Sequence, residues 1–222
     1  KKGTDYDLSY SSGRKAVGTY TVKVTFKGNY SGEKTLTFKI KPGKTEKITV
    51  TRSESSVKLS WEKVSGATGY RVYLYNEKTK KYKTLGTTEK LSCTIKKLKS
   101  GTTYKFSVKA YTKTSKGTVW AEETHRITTA TKPAVPTVTA KAGEGKAVLN
   151  WKTVTGATGY VVYMSEKKDG SYKKLGATGK LSCTVKNLKK GKNYYFKVKA
   201  YKTVDGKNVY GDSCKYIKVK IK

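Results

Sequence analysis

Apolar residues recur at every second position along much of this chain. The clearest run is Tyr104, Phe106, Val108 and Ala110, interleaved with Lys105, Ser107, Lys109 and Tyr111. It returns later as Tyr194, Phe196, Val198 and Ala200, interleaved with Tyr195, Lys197, Lys199 and Tyr201. Period-two alternation marks a strand with one face buried and the other wet. Ahead of each run stands a Leu, then a Gly, then the first Tyr: Leu98, Gly101 and Tyr104, and again Leu188, Gly191 and Tyr194. That spacing predicts a turn feeding the strand, with the buried Tyr hydroxyl returning to backbone near the turn.

The same alternation divides the rest of the chain. Residues 1–41 predict three strands, carrying Tyr6, Leu8 and Tyr10, then Tyr20, Val22, Val24 and Phe26, then Leu36, Phe38 and Ile40. Ser11-Ser12-Gly13 and Lys27-Gly28-Asn29 supply the turns between them. A piece of about 40 residues rarely buries enough apolar surface to stand alone, so this one is expected to need a partner sheet. Lys41-Pro42-Gly43 is a short stiff joint. Beyond it Val57, Leu59 and Trp61 alternate, and Gly66-Ala67-Thr68-Gly69 turns into Tyr70, Val72 and Leu74. Tyr82 and Leu85 sit on a short strand, Leu91, Cys93 and Ile95 on the next, and Val119 to Thr129 closes the domain. Pro133-Ala134-Val135-Pro136 reads as an extended, semi-rigid spacer. A second domain then repeats the first: Trp151 answers Trp61, Tyr160 answers Tyr70, and Val162 and Met164 answer Val72 and Leu74. Between 61–111 and 151–201, about 30 of 51 positions are identical without a gap, as a duplication leaves them.

A Trp on the second strand, Gly-Tyr-x-Val opening the third and Leu-x-x-Gly-x-x-Tyr-x-Phe-x-Val-x-Ala-Tyr on the sixth resemble the fibronectin type III domain, over 44–130 and 134–222. The lysine-rich wording around Gly-Ala-Thr-Gly-Tyr looks like the bacterial version, found in tandem on secreted and wall-attached proteins. The resemblance implies an all-β chain with two seven-stranded antiparallel sandwiches. Residues 1–41 look like the C-terminal half of an immunoglobulin-like repeat seen in secreted surface proteins of Gram-positive anaerobes. Gly3-Thr4-Asp5-Tyr6, Val17-Gly18-Thr19-Tyr20, Gly28-Asn29-Tyr30-Ser31-Gly32 and Phe38-Lys39-Ile40 carry that likeness, which implies a first half upstream of Lys1. Asn29-Tyr30-Ser31 is also a glycosylation sequon and is assigned no role. The Arg-Gly-Asp triplet of some animal members is absent, and the loops expected at Thr112 to Thr118 and Lys202 to Asn208 carry Lys, Thr, Gly and Asp instead.

Charge narrows the choice of partners further. The chain carries 49 basic and 15 acidic residues, a formal net charge of +34. Only Arg14, Arg52, Arg71 and Arg126 are arginine, so the field is made by lysines spread over almost every predicted strand. Such a field attracts polyanions. Lysine's hydrated point charge suits unspecific attraction better than the planar reading of bases, so nucleic acid is expected to bind only non-specifically. A solubilising coat and a selected affinity for anionic polymers both fit this composition.

Catalytic chemistry finds no footing. His125 is the only histidine and Lys215 replaces it in the second repeat. Glu54, Glu62, Glu122, Glu123, Asp169 and Asp212 lie scattered among lysines, whose charge opposes the raised carboxyl pKa that an acid catalyst needs. There is no phosphate loop, nucleophile elbow or zinc spacing, so no enzyme, no metal site and no cofactor are expected. Cys93 and Cys183 are repeat-equivalent and predicted to pack as small apolar residues; Cys214 is unmatched, and a Cys183–Cys214 bridge is open. No apolar run approaches the ~18 residues of a membrane span.

Binding has better candidates. On the faces opposite the core, Arg71, Tyr73 and Tyr75 are expected beside Lys105, Lys109 and Tyr111, with Tyr163, Tyr195, Lys197, Lys199 and Tyr201 in the second domain. Exposed rings there can stack on sugars while lysines hold phosphates or carboxylates. Cross-strand aromatic and lysine pairs also stabilise an exposed sheet without any ligand, by ~0.2–1 kcal/mol each. The expected role is a non-enzymatic extracellular spacer or attachment module, secreted or cell-wall associated. Its expected partners are an anionic cell-wall polymer or acidic polysaccharide and neighbouring domains of the same protein.

Overall fold

The computed structural model describes residues 1–122 and 124–222; Glu123, one of the scattered acids, lies outside the described residues. Three strands come first: β1 (Tyr6–Tyr10), β2 (Gly18–Phe26) and β3 (Glu33–Ile40). The first repeat holds β4 (Thr49–Arg52), β5 (Val57–Ser60), β6 (Gly69–Asn76), β7 (Lys81–Thr88), β8 (Ser92–Ile95), β9 (Thr103–Thr114), β10 (Gly117–Trp120) and β11 (His125–Ala130). The second holds β12 (Val138–Gly143), β13 (Lys146–Trp151), β14 (Gly159–Ser165), β15 (Lys173–Thr178), β16 (Ser182–Val185), β17 (Asn193–Val204), β18 (Lys207–Ser213) and β19 (Ile217–Lys220). Among the described residues no helix is long and apolar enough to cross a membrane.

Among the described residues the strands form five sheets. One is β1-β2-β3 alone. Each repeat contributes a three-stranded sheet, β4-β5-β8 or β12-β13-β16, and a larger one, β10-β9-β6-β7 or β15-β14-β17-β18. The closing strand of each repeat is broken into two segments along one neighbour, so β11 also lies beside β9 and β19 beside β17. Three strands facing a larger sheet, twice over, make the expected all-β sandwiches. The chain divides into two compact units: Lys1–Thr49, Leu59–Cys93 and Lys105–Ile127 form one, and Val50–Lys58, Thr94–Tyr104 and Thr128–Lys222 form the other.

In the first unit, β1 pairs with β2 so that Leu8 faces Val24 and Tyr10 faces Val22, while Leu36 faces Val22 and Phe38 faces Tyr20 across β2 and β3. All the apolar residues of this sheet therefore share one face. Among the described residues no second sheet covers it, and Tyr10, Phe26 and Leu36 stay 45%, 37% and 47% exposed. The sheet is joined to the repeat by Lys41, which pairs with Glu122 at 3.1 Å, and by Val17, which lies where Gly66 has no side chain. In the repeat itself Leu59, Val72, Phe106, Val108 and Ala110 are buried, and Trp61 is 5% exposed with its ring 5.3 Å from Tyr70. Tyr70 Oη accepts the Val64 N–H at 2.9 Å.

The second unit contains the whole second repeat, whose core joins Leu149, Trp151, Tyr160, Val162, Tyr194, Phe196, Val198 and Val219. Tyr160 Oη accepts the Val154 N–H at 2.8 Å, as its counterpart does in the first repeat. The returning hydroxyls predicted from the Leu-Gly-Tyr spacing are present: Lys189 N–H donates to Tyr194 Oη at 3.2 Å, and Lys99 N–H to Tyr104 Oη at 2.8 Å. Elsewhere in this unit Lys132 Nζ meets Asp212 at 2.8 Å, and the backbones of Gly101 and Gly156 approach so closely that a Cβ on either would strike the other.

Two sequence expectations change and one open question closes. The stretch Lys202 to Asn208 is not a loop, because β17 runs to Val204 and β18 starts at Lys207. Asp205 and Gly206, with φ of 48° and 72°, make a two-residue turn whose twist matches the flanking strands. Thr112 to Thr118 is likewise mostly strand around Ser115-Lys116. Finally, the Cys183–Cys214 bridge does not form; all three cysteines are free, Cys93 and Cys183 half-buried and Cys214 buried with its Sγ accepting the Val198 N–H.

Candidate polyanion-binding face

The outer face of each larger sheet carries the sequence-predicted site residues, and strand pairing sets their neighbours. Arg71 stands opposite Lys109 and Tyr73 opposite Ser107 across β6 and β9. In the second repeat Tyr163 faces Lys197 and Ser165 faces Tyr195 across β14 and β17. Both sheets contain a register shift beside β6 or β14, after Val72 and after Val162. The bulged residues are Leu85 and Leu175, left 40% and 38% exposed. The bulge turns Tyr82 outward, opposite Tyr75, with ring centroids 5.1 Å apart.

A hollow forms at the same place on both faces. In the first repeat it is lined by Tyr73, Tyr82, Ser107, Lys109, Thr124 and Arg126 and holds about 160 Å³. In the second it is lined by Tyr163, Tyr172, Lys197, Lys199 and Ser213 and holds about 240 Å³. The Arg126 guanidinium lies 5.6 Å from the Tyr82 ring centre. Lys197 Nζ lies 4.1 Å from that of Tyr172, and Lys199 Nζ 5.7 Å from that of Tyr163. Such contacts hold a cation above an electron-rich ring. Ser107 and Thr124 hydrogen-bond to each other on the wall of the first hollow. Burial pushes the Tyr172 phenol up, and its hydroxyl donates to the Lys168 carbonyl at 2.9 Å.

Not every predicted residue is available. Tyr111 lies on the outer face, as its parity requires, but it is 5% exposed: its ring lies over Gly69 and is capped by Trp120 at 4.9 Å. It is a packing residue, not an open stacking platform. Arg71 is spent on the same cluster, its guanidinium 4.3 Å above Trp120. Lys105 pairs with Glu77 at 2.9 Å and lies 5.2 Å from the Tyr75 ring centre. The hydrogen bond from Lys105 holds the Glu77 carboxyl below its usual range, and the same bond raises Lys105. In the second repeat Tyr201 is half-buried over Gly159 and against Tyr210, and Tyr195 meets Tyr216 edge-on at 5.5 Å. Of the sequence-predicted residues, Tyr73, Lys109, Tyr163, Lys197 and Lys199 line the hollows; Tyr82, Ser107, Thr124, Arg126, Tyr172 and Ser213 line them as well and are not among the predicted residues. The signal for the two tyrosines was present, since Tyr172 answers Tyr82 in the repeat, but the bulge that turns them outward has no mark in the alternation.

The family model described as the fibronectin type III domain matches residues 41–126 and 131–209. Comparison with curated proteins returns no match. Among solved structures, a segment of two fibronectin type III domains from chicken tenascin is 16% identical, with 79% of this chain and 98% of that one covered and a TM-score of 0.46. The FN1-FN3 domains of chicken CNTN1 are 19% identical, with 92% of this chain and 78% of that one covered and a TM-score of 0.44. The family model spans most of the chain, in the two stretches that carry the sandwiches, and the chain therefore belongs to the fibronectin type III domain family, as two domains in tandem.

Proposed function

We propose that this chain is a non-enzymatic extracellular module of a larger bacterial surface protein, spacing its neighbours and holding to anionic cell-wall polymers through lysine. On this reading 44–130 and 134–222 are the two domains, and 1–41 is the C-terminal part of an immunoglobulin-like repeat. The observation that carries the attachment is the charge imbalance. With 49 basic side chains against 15 acidic ones, most cations have no acid of their own to meet. The ion pairs that do form, such as Lys23–Glu33 and Lys47–Glu62, are exposed and contribute little to stability, so the lysine coat is free to serve association. The test is co-sedimentation of the full chain with purified Gram-positive cell wall before and after chemical removal of its anionic polymers. Retention should fall when those polymers are stripped; equal retention on stripped wall, or none on intact wall, contradicts the proposal.

A second reading is supported by the paired hollows: the Tyr and Lys faces recognise an acidic polysaccharide as well as attracting it. Nucleic acid fits less well, as a non-specific and salt-sensitive ligand.

A further inference from the structure

The two hollows keep one feature by different means. Above the ring at position 82 the cation is Arg126, supplied by β11; above the equivalent ring at 172 it is Lys197, supplied by β17. The counterpart of Arg126 is Tyr216 and that of Lys197 is Ser107, so neither repeat retains the other's cation. Among the described residues cations also lie over Tyr10, Tyr75 and Tyr216, but the ring at 82 and 172 is the one over which both repeats keep a cation, from different strands. Around it both hollows place a second tyrosine, a lysine (Lys109 or Lys199) and side-chain hydroxyls.

We propose that each hollow is a subsite for one carboxylated sugar unit of an acidic polysaccharide. The ring-held cation takes the carboxylate, as a charge-assisted contact that arginine makes with both of its oxygens. The Ser213 hydroxyl and the oxygens of the Ser107–Thr124 pair take sugar hydroxyls, with the Tyr172 proton already held by the Lys168 carbonyl, and the tyrosine flanks pack against the sugar's C–H groups. A nucleobase fits worse, because it binds by stacking and brings no carboxylate to the cation that each hollow holds beside a ring. The inference rests on the polysaccharide reading above and names the unit that is bound.

The experiment uses the full chain with polygalacturonate, poly(glycerol phosphate), oligo-dT and uncharged dextran, at low salt and at about 0.5 M NaCl, where coulombic attraction is screened within a few Å. The hollow variant is Arg126→Gln with Lys197→Gln. A control of equal charge loss is Lys146→Gln with Lys186→Gln, at two exposed lysines away from the hollows. The wild type should remain bound to polygalacturonate at high salt, and the hollow variant should bind about tenfold more weakly than the control. Equal weakening of the two variants overturns the subsite. So does complete release of the wild type at high salt, although that result leaves low-salt attachment standing. Tighter high-salt binding to oligo-dT or poly(glycerol phosphate) overturns the carboxylated-sugar assignment, and no retention on any polyanion at low salt removes the wider reading as well.

Discussion

Tyr70 and Tyr160 each carry a ring into the core and turn the hydroxyl back to the main chain, accepting the buried N–H of Val64 or Val154. Removing only that oxygen leaves a buried donor without a partner. Tyr160→Phe should therefore cost about 1–3 kcal/mol, seen as a lower urea midpoint at unchanged slope. Tyr194→Phe should cost less, about 0.5–1.5 kcal/mol, because the Lys189 amide it releases is only part-buried and can turn to water. Cys214 makes a different prediction. Burial pushes its thiol up, so the fold favours the neutral form. Its contribution is fully present below the ordinary thiol range and is lost as pH rises through the raised folded value. Stability of the wild type should thus fall more steeply at alkaline pH than that of Cys214→Thr, which borrows the residue found at the equivalent Thr124; parallel curves contradict this. At this scale a returning hydroxyl is legible where the Leu-Gly-Tyr spacing announces it, as at Tyr104 and Tyr194. The exposure of Tyr111 is not legible, because parity says outward but Gly69 leaves space for the ring to lie down and Trp120 to cover it.

Among the elements, alternation located nearly every strand because each buries one face only. It lost register at Leu85 and Leu175, where one extra residue in an edge strand moves every later side chain to the other face. That single irregularity is why the hollows were legible only in part. Another element-scale property concerns β1 to β3, which place their apolar residues on one side with no second sheet over them among the described residues. Sheets of one layer open readily, so their amides should exchange with deuterium well before those of β14 and β17, whose partners flank them on both edges. Equal protection in the two regions contradicts an uncovered face. Gly159 sets a packing limit of its own: a Cβ there meets the Tyr201 ring and the Thr178 carbonyl. Gly159→Ala should destabilise the second repeat by about 1–3 kcal/mol, read by thermal or urea unfolding.

For the whole molecule, the fold and the charge answer different questions. Duplication gives two sandwiches of one family, and a fold by itself fixes no chemistry. What distinguishes this chain is a formal charge of +34 made almost wholly of lysine. If attachment is the role, its strength must follow ionic strength. The decisive measurement is the affinity of the full chain for a purified anionic wall polymer as salt is raised from about 0.05 to about 0.5 M. The account predicts measurable binding at the low end and a steady fall of at least tenfold across the range. Affinity that is absent at low salt, or that does not change with salt, would contradict it.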